Sequence, residues 1–138
     1  MEIKKVVVIG SGTMGSGIAA HLCNANIPVT LLDLKTEISE QARDKIYKSK
    51  PPLLLDKTKI NNIKVGNISD NFDEVKEADW VVEAVVERID IKHDIYKKIF
   101  KERKDGAIVS SNTSSIPIKV LSQHLSEEEK KDFCITHF

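Results

Sequence analysis

The sequence predicts an α/β fold in which a doubly wound, mainly parallel sheet carries helices on both faces. Two observations support this prediction. Short apolar runs typical of buried strands alternate with amphipathic, helix-like segments along the whole chain. The first run, residues 6–9, passes directly into a glycine-rich segment of the form G-x-G-x-x-G at residues 10–15. Such alternation is typical of βαβ units, whose crossover helices cover both sides of a parallel sheet.

The first half of the chain contains three predicted strands and two predicted helices. Residues 6–9 are apolar and mostly β-branched, which predicts a buried strand, and the Ala-rich stretch after the glycines favours a helix. A second apolar run, 27–33, ends in an acid. Residues 37–50 repeat apolar side chains at helical spacing until two prolines stop the helix. Residues 53–55 are either a buried patch or part of a short helix, and residues 60–68 are predicted to be a strand.

The second half continues the same alternation, again because apolar runs and amphipathic segments follow one another. Its predicted elements are, in order, a short acidic helix or turn at 72–78, a buried strand that starts at 80 within 80–87, an amphipathic helix at 90–103, a strand at 107–110, a loop at 112–115, a proline-initiated helix at 117–124 and a final strand at 133–137.

Composition limits the possible functions. A chain of 138 residues is long enough for one domain with its own core, so residues 1–138 are expected to form a single unit. Lys plus Arg and Asp plus Glu each total 21, which gives no electrostatic reason to expect binding to nucleic acid or to a membrane. Cys23 and Cys134 are expected to be small core residues in a reducing cytoplasm, and neither a disulfide nor a metal site is predicted.

The glycine segment has the spacing of a dinucleotide-binding unit: strand, G-x-G-x-x-G, helix, strand and terminal acid, which is a Rossmann-type arrangement. Gly10 permits a turn that a Cβ atom would obstruct. Gly12 lets the backbone approach a pyrophosphate closely, and Gly15 lets the helix pack tightly on the strand. The free N–H groups of Thr13, Met14 and Gly15 are expected to point at the phosphates.

The acid at the end of the second apolar run indicates which dinucleotide is bound. The Asp33 carboxylate can accept hydrogen bonds from a ribose 2′-hydroxyl and would repel a 2′-phosphate, which favours NAD over NADP. The positive charge of Lys35, two residues later, would weaken this preference for NAD over NADP. An ordinary glycine-rich turn is the alternative, but it does not explain the strands, helix and acid in this order.

Polar residues that follow strands are the candidates for catalysis, because ligands bind at the carboxyl ends of parallel strands. Each candidate also has an ordinary explanation, as a helix-start acid, a solvated lysine, a capping turn or a structural histidine. The candidates are Glu87, Lys92, Asn112, Thr113, Ser114 and His137. The remaining histidines lie in predicted helices and are expected to be structural, and they are His21, His93 and His124.

Four motifs in this order resemble the N-terminal NAD-binding domain of L-3-hydroxyacyl-CoA dehydrogenases over essentially the whole chain. They are G-S-G-T-M-G at 10–15, E-A-V-V-E at 83–87 with Lys92, S-N-T-S-S at 111–115 and T-H-F at 136–138. Residues 48–68 resemble the bacterial fatty-acid-oxidation type. The resemblance implies reversible oxidation of an L-3-hydroxyacyl-CoA to the 3-ketoacyl-CoA, with hydride transfer to NAD⁺.

The resemblance also implies roles for the matching residues. Glu87 and Asn112 would contact the cofactor, and Lys92 would lie near both the cofactor and the acyl-CoA. Ser114 would hydrogen-bond the substrate oxygen and the nicotinamide region. His137 would be the catalytic base, since a neutral imidazole can accept the hydroxyl proton as the hydride leaves.

The family pattern continues after its histidine with F-F-N-P, a glutamate that orients the histidine, and a helical domain that forms most of the dimer interface. Residues 1–138 match this pattern only as far as Phe138 and hold no counterpart of the asparagine, the glutamate or the helical domain, so we expect little activity from this chain alone. Two hypotheses follow: the NAD-binding half of a dehydrogenase, or a truncated, stand-alone NAD-binding module without catalysis. A third, another NAD domain such as that of a 6-phosphogluconate-type or sugar dehydrogenase, leaves S-N-T-S-S and His137 together unexplained.

Overall fold

The computed structural model describes residues 1–138 and contains one sheet of six strands, in which every neighbouring pair is parallel. The strands are β1 (Val6–Ile9), β2 (Val29–Asp33), β3 (Ile63–Asn67), β4 (Trp80–Glu83), β5 (Ile108–Ser111) and β6 (Phe133–Ile135). Their order across the sheet is β3-β2-β1-β4-β5-β6. The predicted doubly wound, Rossmann-type α/β fold is therefore confirmed.

Helices cover both faces of this sheet. They are α1 (Thr13–Asn24), α2 (Thr36–Lys48), α3 (Ile89–Glu102), α4 (Ile118–Leu121) and α5 (Glu127–Lys130). Side chains alternate across a strand, so β1 contributes to two separate cores. Val6 and Val8 belong to a core that includes apolar residues of α1 and α2, whereas Val7 and Ile9 belong to one that includes residues of α3 and α4.

The sheet order places a crevice above β1. Its neighbours are β2 on one side and β4 on the other, with Ile9 in register with both Leu32 and Glu83. The chain leaves β1 and β4 towards opposite faces of the sheet, because α1, which follows β1, and α3, which follows β4, pack in different cores. Ligands bind at such a switch point, outside the carboxyl ends of the strands.

Several predicted boundaries are wrong. Residues 57–62 form a 3₁₀ helix, in which the Asp56 side chain accepts the N–H of Thr58 at 2.9 Å, so the third strand begins only at Ile63. Of the three leucines at 53–55, only Leu54 is buried. The helix predicted at 117–124 is limited to the single turn of α4, and the last strand ends before His137.

One short helix, α5, was not predicted. Its signal is present in the sequence as S-E-E-E, because Ser126 and Glu129 form a reciprocal capping box. Cys23 is fully buried as predicted, whereas Cys134 is only half-buried. None of the helices has the length and apolar composition needed to cross a membrane.

Candidate active site

The glycine segment forms the turn between β1 and α1. Gly10 has φ +103°, and a Cβ atom there would overlap the carbonyl oxygen of Ala84 from the neighbouring strand end. A Cβ atom on Gly15 would overlap the Gly10 carbonyl, so a side chain would push α1 away from β1. Gly10 thus permits a turn that a Cβ atom would obstruct, and Gly15 permits close packing of the helix on the strand, as the sequence predicts.

Gly12 differs from the other two glycines, because a Cβ atom there would meet nothing within 4 Å. It is the N-cap of α1 and supplies no side-chain hydrogen bond to the helix. The N-terminal N–H groups of α1, including those of Thr13 and Met14, therefore lack a side-chain cap and carry the positive end of the helix dipole. This open cradle fits a phosphate group.

Asp33 ends β2 beside this turn. Its carboxylate accepts hydrogen bonds from the N–H of Ser11 at 2.8 Å, the Ser11 hydroxyl at 2.5 Å and the N–H of Leu34 at 2.7 Å. The side chain thus connects the end of β2 to the glycine turn. It remains partly exposed, and its oxygens retain capacity for further donors such as a ribose hydroxyl.

A cavity of about 500 Å³ extends along the glycine turn. Its walls are mainly apolar, with Asp33 at one end, and most of them come from the ends of β1, β2 and β4 and from α3. The lining residues are Gly10, Ser11, Gly12, Thr13, Met14, Asp33, Leu34, Ile68, Ala84, Val85, Val86, Ile91 and Ile95. A mainly apolar cleft with few polar groups is typical of a cofactor site.

A smaller cavity of about 170 Å³ shares Met14, Ala84 and Val85 with the larger one. It brings together five of the residues singled out in the sequence, from three different strand ends and from α3. They are Glu87, Lys92, Asn112, Ser114 and His137. A dinucleotide that runs from Asp33 across the glycine turn therefore has space for its second half beside these side chains.

A buried ionic cluster supports this smaller cavity. The Lys92 ammonium lies 2.6 Å from Glu83 and 2.9 Å from Glu87. Only 1 % of the Lys92 side chain is exposed, so the alternative of a solvated lysine is wrong. Its position follows from helical spacing, because Lys92 lies one turn into α3 and faces the strand ends.

Glu83 is the centre of the cluster and is completely buried. One carboxylate oxygen accepts Lys92 and the N–H of Val85 at 2.9 Å, and the other accepts the Tyr96 hydroxyl at 2.5 Å and the Ser111 hydroxyl at 2.7 Å. Burial, together with the neighbouring carboxylate of Glu83, raises the pKa of Tyr96, which keeps the phenol protonated as a donor.

Glu87 lies at the mouth of the cavity and is partly exposed. Besides its pair with Lys92, it accepts the hydroxyls of Thr113 at 2.6 Å and Ser115 at 2.9 Å. Burial alone would raise the pKa of Glu87, but hydrogen bonds from Thr113, Lys92 and Ser115 outweigh it and lower the pKa to about 2. Glu87 is therefore a carboxylate across the physiological pH range.

We expect the Glu87 contacts to make stability depend on acid pH. A carboxyl whose pKa is lower in the folded state stabilises that state above its unfolded pKa, and this contribution is lost as pH falls from 4.5 towards about 2. Urea unfolding at a series of pH values should show a smaller loss across this window for Glu87→Gln than for the unchanged chain. Equal losses in both chains would contradict the assignment.

Sequence patterns indicate Glu87 and Lys92 as site residues but not the residues that hold this cluster together, Glu83, Tyr96 and Ser111. A signal was available, since Glu83 is a charged residue inside an apolar strand and a buried charge requires a partner. His137 and Ser114 are exposed at the cavity, whereas the carboxylates of Glu83 and Glu87 are both paired with Lys92.

Known protein families and curated proteins include relatives of this chain. The family model described as "3-hydroxyacyl-CoA dehydrogenase, NAD binding domain" matches residues 5–138. The putative fatty acid oxidation complex trifunctional enzyme of Rickettsia felis is 43 % identical over 99 % of this chain and 20 % of its own length. The probable 3-hydroxyacyl-CoA dehydrogenase of Deinococcus radiodurans is 39 % identical over 100 % of this chain and 42 % of its own.

A solved structure shows the same architecture. The 3-hydroxybutyryl-CoA dehydrogenase of Escherichia coli K12 superimposes with a TM-score of 0.86 at 25 % identity, over 100 % of this chain and 30 % of that one. The chain thus spans less than half the length of these proteins. On its sequence, its sheet order and its glycine turn, the chain belongs to the NAD-binding-domain family of the 3-hydroxyacyl-CoA dehydrogenases.

Proposed function

We propose that this chain is the cofactor half of a dehydrogenase that reversibly oxidises an L-3-hydroxyacyl-CoA to the 3-ketoacyl-CoA in fatty acid oxidation. The observation that carries the proposal is the smaller cavity, which joins the cofactor cleft and is lined by Glu87, Lys92, Asn112, Ser114 and His137. NAD⁺, when bound, supplies the acceptor for the hydride.

In this proposal each cofactor contact has a physical task. The α1 N-terminus at Thr13, Met14 and Gly15 neutralises the pyrophosphate, and Asp33 accepts a ribose hydroxyl. Glu87 and Asn112 contact the nicotinamide half, and Lys92 fixes the Glu87 carboxylate.

The substrate side depends on Ser114 and His137. The Ser114 hydroxyl donates a hydrogen bond to the substrate oxygen and so orients the reacting carbon. A ring nitrogen of His137 accepts the hydroxyl proton as the carbon–oxygen double bond forms. In the reverse direction the same nitrogen returns the proton.

The alternative is a binding module without catalysis. This alternative is favoured by the exposure of His137. It is also favoured by the pairing of Glu83 and Glu87 with Lys92, which leaves neither carboxylate free to orient the imidazole.

The relatives are longer than this chain, and we propose that the rest of the acyl-CoA site and a homodimer interface lie in such additional residues. Free thiols at Cys23 and Cys134 support a cytoplasmic location.

Titration of NADH fluorescence tests the cofactor contacts. We expect binding in the micromolar to millimolar range, weakened about tenfold or more by Asp33→Ala, because hydrogen bonds to a charged group contribute about 1.5–3 kcal/mol. Ser11→Ala is the matched control, since it removes one donor to Asp33 but keeps the carboxylate. Absence of NADH binding by the unchanged chain would refute the proposal.

Reduction of acetoacetyl-CoA, followed by NADH absorbance, tests whether this chain alone is catalytic. We expect the chain alone to show a rate close to background, with any measurable turnover abolished by His137→Ala. Turnover in the ordinary enzyme range, about 1–1000 per second, would exclude the inactive-module alternative.

A further inference from the structure

We propose that Glu83 sets the net charge of the candidate active site and thereby favours the oxidised, positively charged nicotinamide ring over the reduced, neutral ring. This inference rests on the proposed function, because it requires the nicotinamide half of NAD to lie at the smaller cavity. Glu83 acts in it as a positioning and charge-setting residue that works through Lys92 and Glu87.

The charges around this cavity do not cancel. The cluster contains two carboxylates, Glu83 and Glu87, and one ammonium, Lys92, which leaves one net negative charge. Arg88 and Asp90, next to Glu87 in sequence, pair with each other at 2.9 Å and are neutral as a unit. Lys92 alone would balance Glu87, so Glu83 supplies the excess charge.

Burial makes this excess charge effective at the cavity. Glu83 has no exposed surface and Lys92 has 1 %, so water and salt screen these two charges poorly. Hydride transfer changes the ring from positive to neutral, while the rest of the dinucleotide keeps its charge. A fixed negative charge therefore stabilises the oxidised form selectively and leaves the affinity for the reduced form nearly unchanged.

The hydrogen bonds of Glu83 allow its charge to be removed without loss of partners. In Glu83→Gln, the amide oxygen can keep the bonds from Lys92 and the Val85 N–H. The amide nitrogen then faces Tyr96 and Ser111, whose hydroxyls can rotate from donating to accepting. The substitution therefore changes charge while it conserves volume and connectivity.

The test measures the dissociation constants of NAD⁺ and NADH separately, by calorimetry and by fluorescence. In Glu83→Gln we expect the ratio Kd(NAD⁺)/Kd(NADH) to rise about three- to tenfold, the size expected for a unit charge acting at a partly buried site. The affinity for NADH should change by less than about twofold. Tyr96→Phe is the matched control, because it removes a hydrogen bond to Glu83 but keeps every charge, and its ratio should not change.

The outcomes are distinguishable. If the unchanged chain binds neither nucleotide, the proposed function fails. If it binds both and Glu83→Gln weakens both equally or leaves the ratio unchanged, Glu83 has only a structural role and the inference is overturned. If circular dichroism shows that Glu83→Gln does not fold, the comparison is made in the Lys92→Met background, where adding Glu83→Gln again removes one unit of negative charge. A raised ratio in the double variant relative to Lys92→Met supports the inference, and an unchanged ratio refutes it.

Discussion

Replacing Gly15 with alanine is expected to lower the free energy of unfolding by about 3 kcal/mol or more and to abolish NADH binding, because the added methyl group overpacks the turn. It would overlap the Gly10 carbonyl oxygen, which is backbone and cannot move away as a flexible side chain does. Helix α1 would have to shift from β1, and its N-terminal N–H groups would move with it. Urea unfolding and NADH fluorescence measure the two effects.

Gly12→Ala is the matched control for Gly15→Ala. Gly12 has φ −68°, and a Cβ atom there meets nothing within 4 Å, so alanine fits the folded chain. We expect a stability loss below about 1 kcal/mol, mainly because alanine is a poorer N-cap than glycine. NADH binding should nevertheless weaken strongly, since the methyl group occupies space at the phosphate cradle. Equal stability of the two variants would contradict this account of the turn.

Replacing Lys92 with methionine is expected to lower the free energy of unfolding at neutral pH by about 3–5 kcal/mol, because it leaves a buried carboxylate without its counter-ion. Glu83 has no exposed surface and would retain only neutral donors. Lys48→Met is the control, because Lys48 forms an exposed pair with Asp44 whose loss should cost no more than about 0.5 kcal/mol.

A double variant provides a second measurement, because it separates lost charge pairing from lost packing. Adding Glu83→Gln to Lys92→Met removes the buried charge that has lost its counter-ion, so part of the deficit at neutral pH should be restored. A double variant as unstable as Lys92→Met alone would show that lost packing, not charge, causes the deficit.

The fold and the position of the site were largely predictable from sequence. Buried parallel strands are continuous apolar runs, and the glycine turn has one spacing that suits a dinucleotide. Strand ends in a parallel sheet lie along one edge, which is why residues as distant as Glu87 and His137 meet at one cavity.

The interior of the site was not predictable to the same degree. Helix and strand periodicity places Lys92 and Glu83 on elements but does not specify which charges meet, because pairing depends on how α3 packs against β4 and β5. Short elements such as α5 and the 3₁₀ helix at 57–62 are fixed by caps rather than by apolar periodicity, so their boundaries were wrong or missing.

The contact between Gly10 and Ala84 makes the cofactor cleft depend on strands that are far apart in sequence. The glycine turn and Asp33 belong to the βαβ unit of β1, α1 and β2, whereas the opposite wall of the cleft is formed by residues 84–86, after β4. A ligand that contacts both walls binds the assembled sheet and stabilises it by mass action. NAD is therefore expected to oppose the separation of β4 from β1, and not only to stabilise the unit that carries the glycine turn.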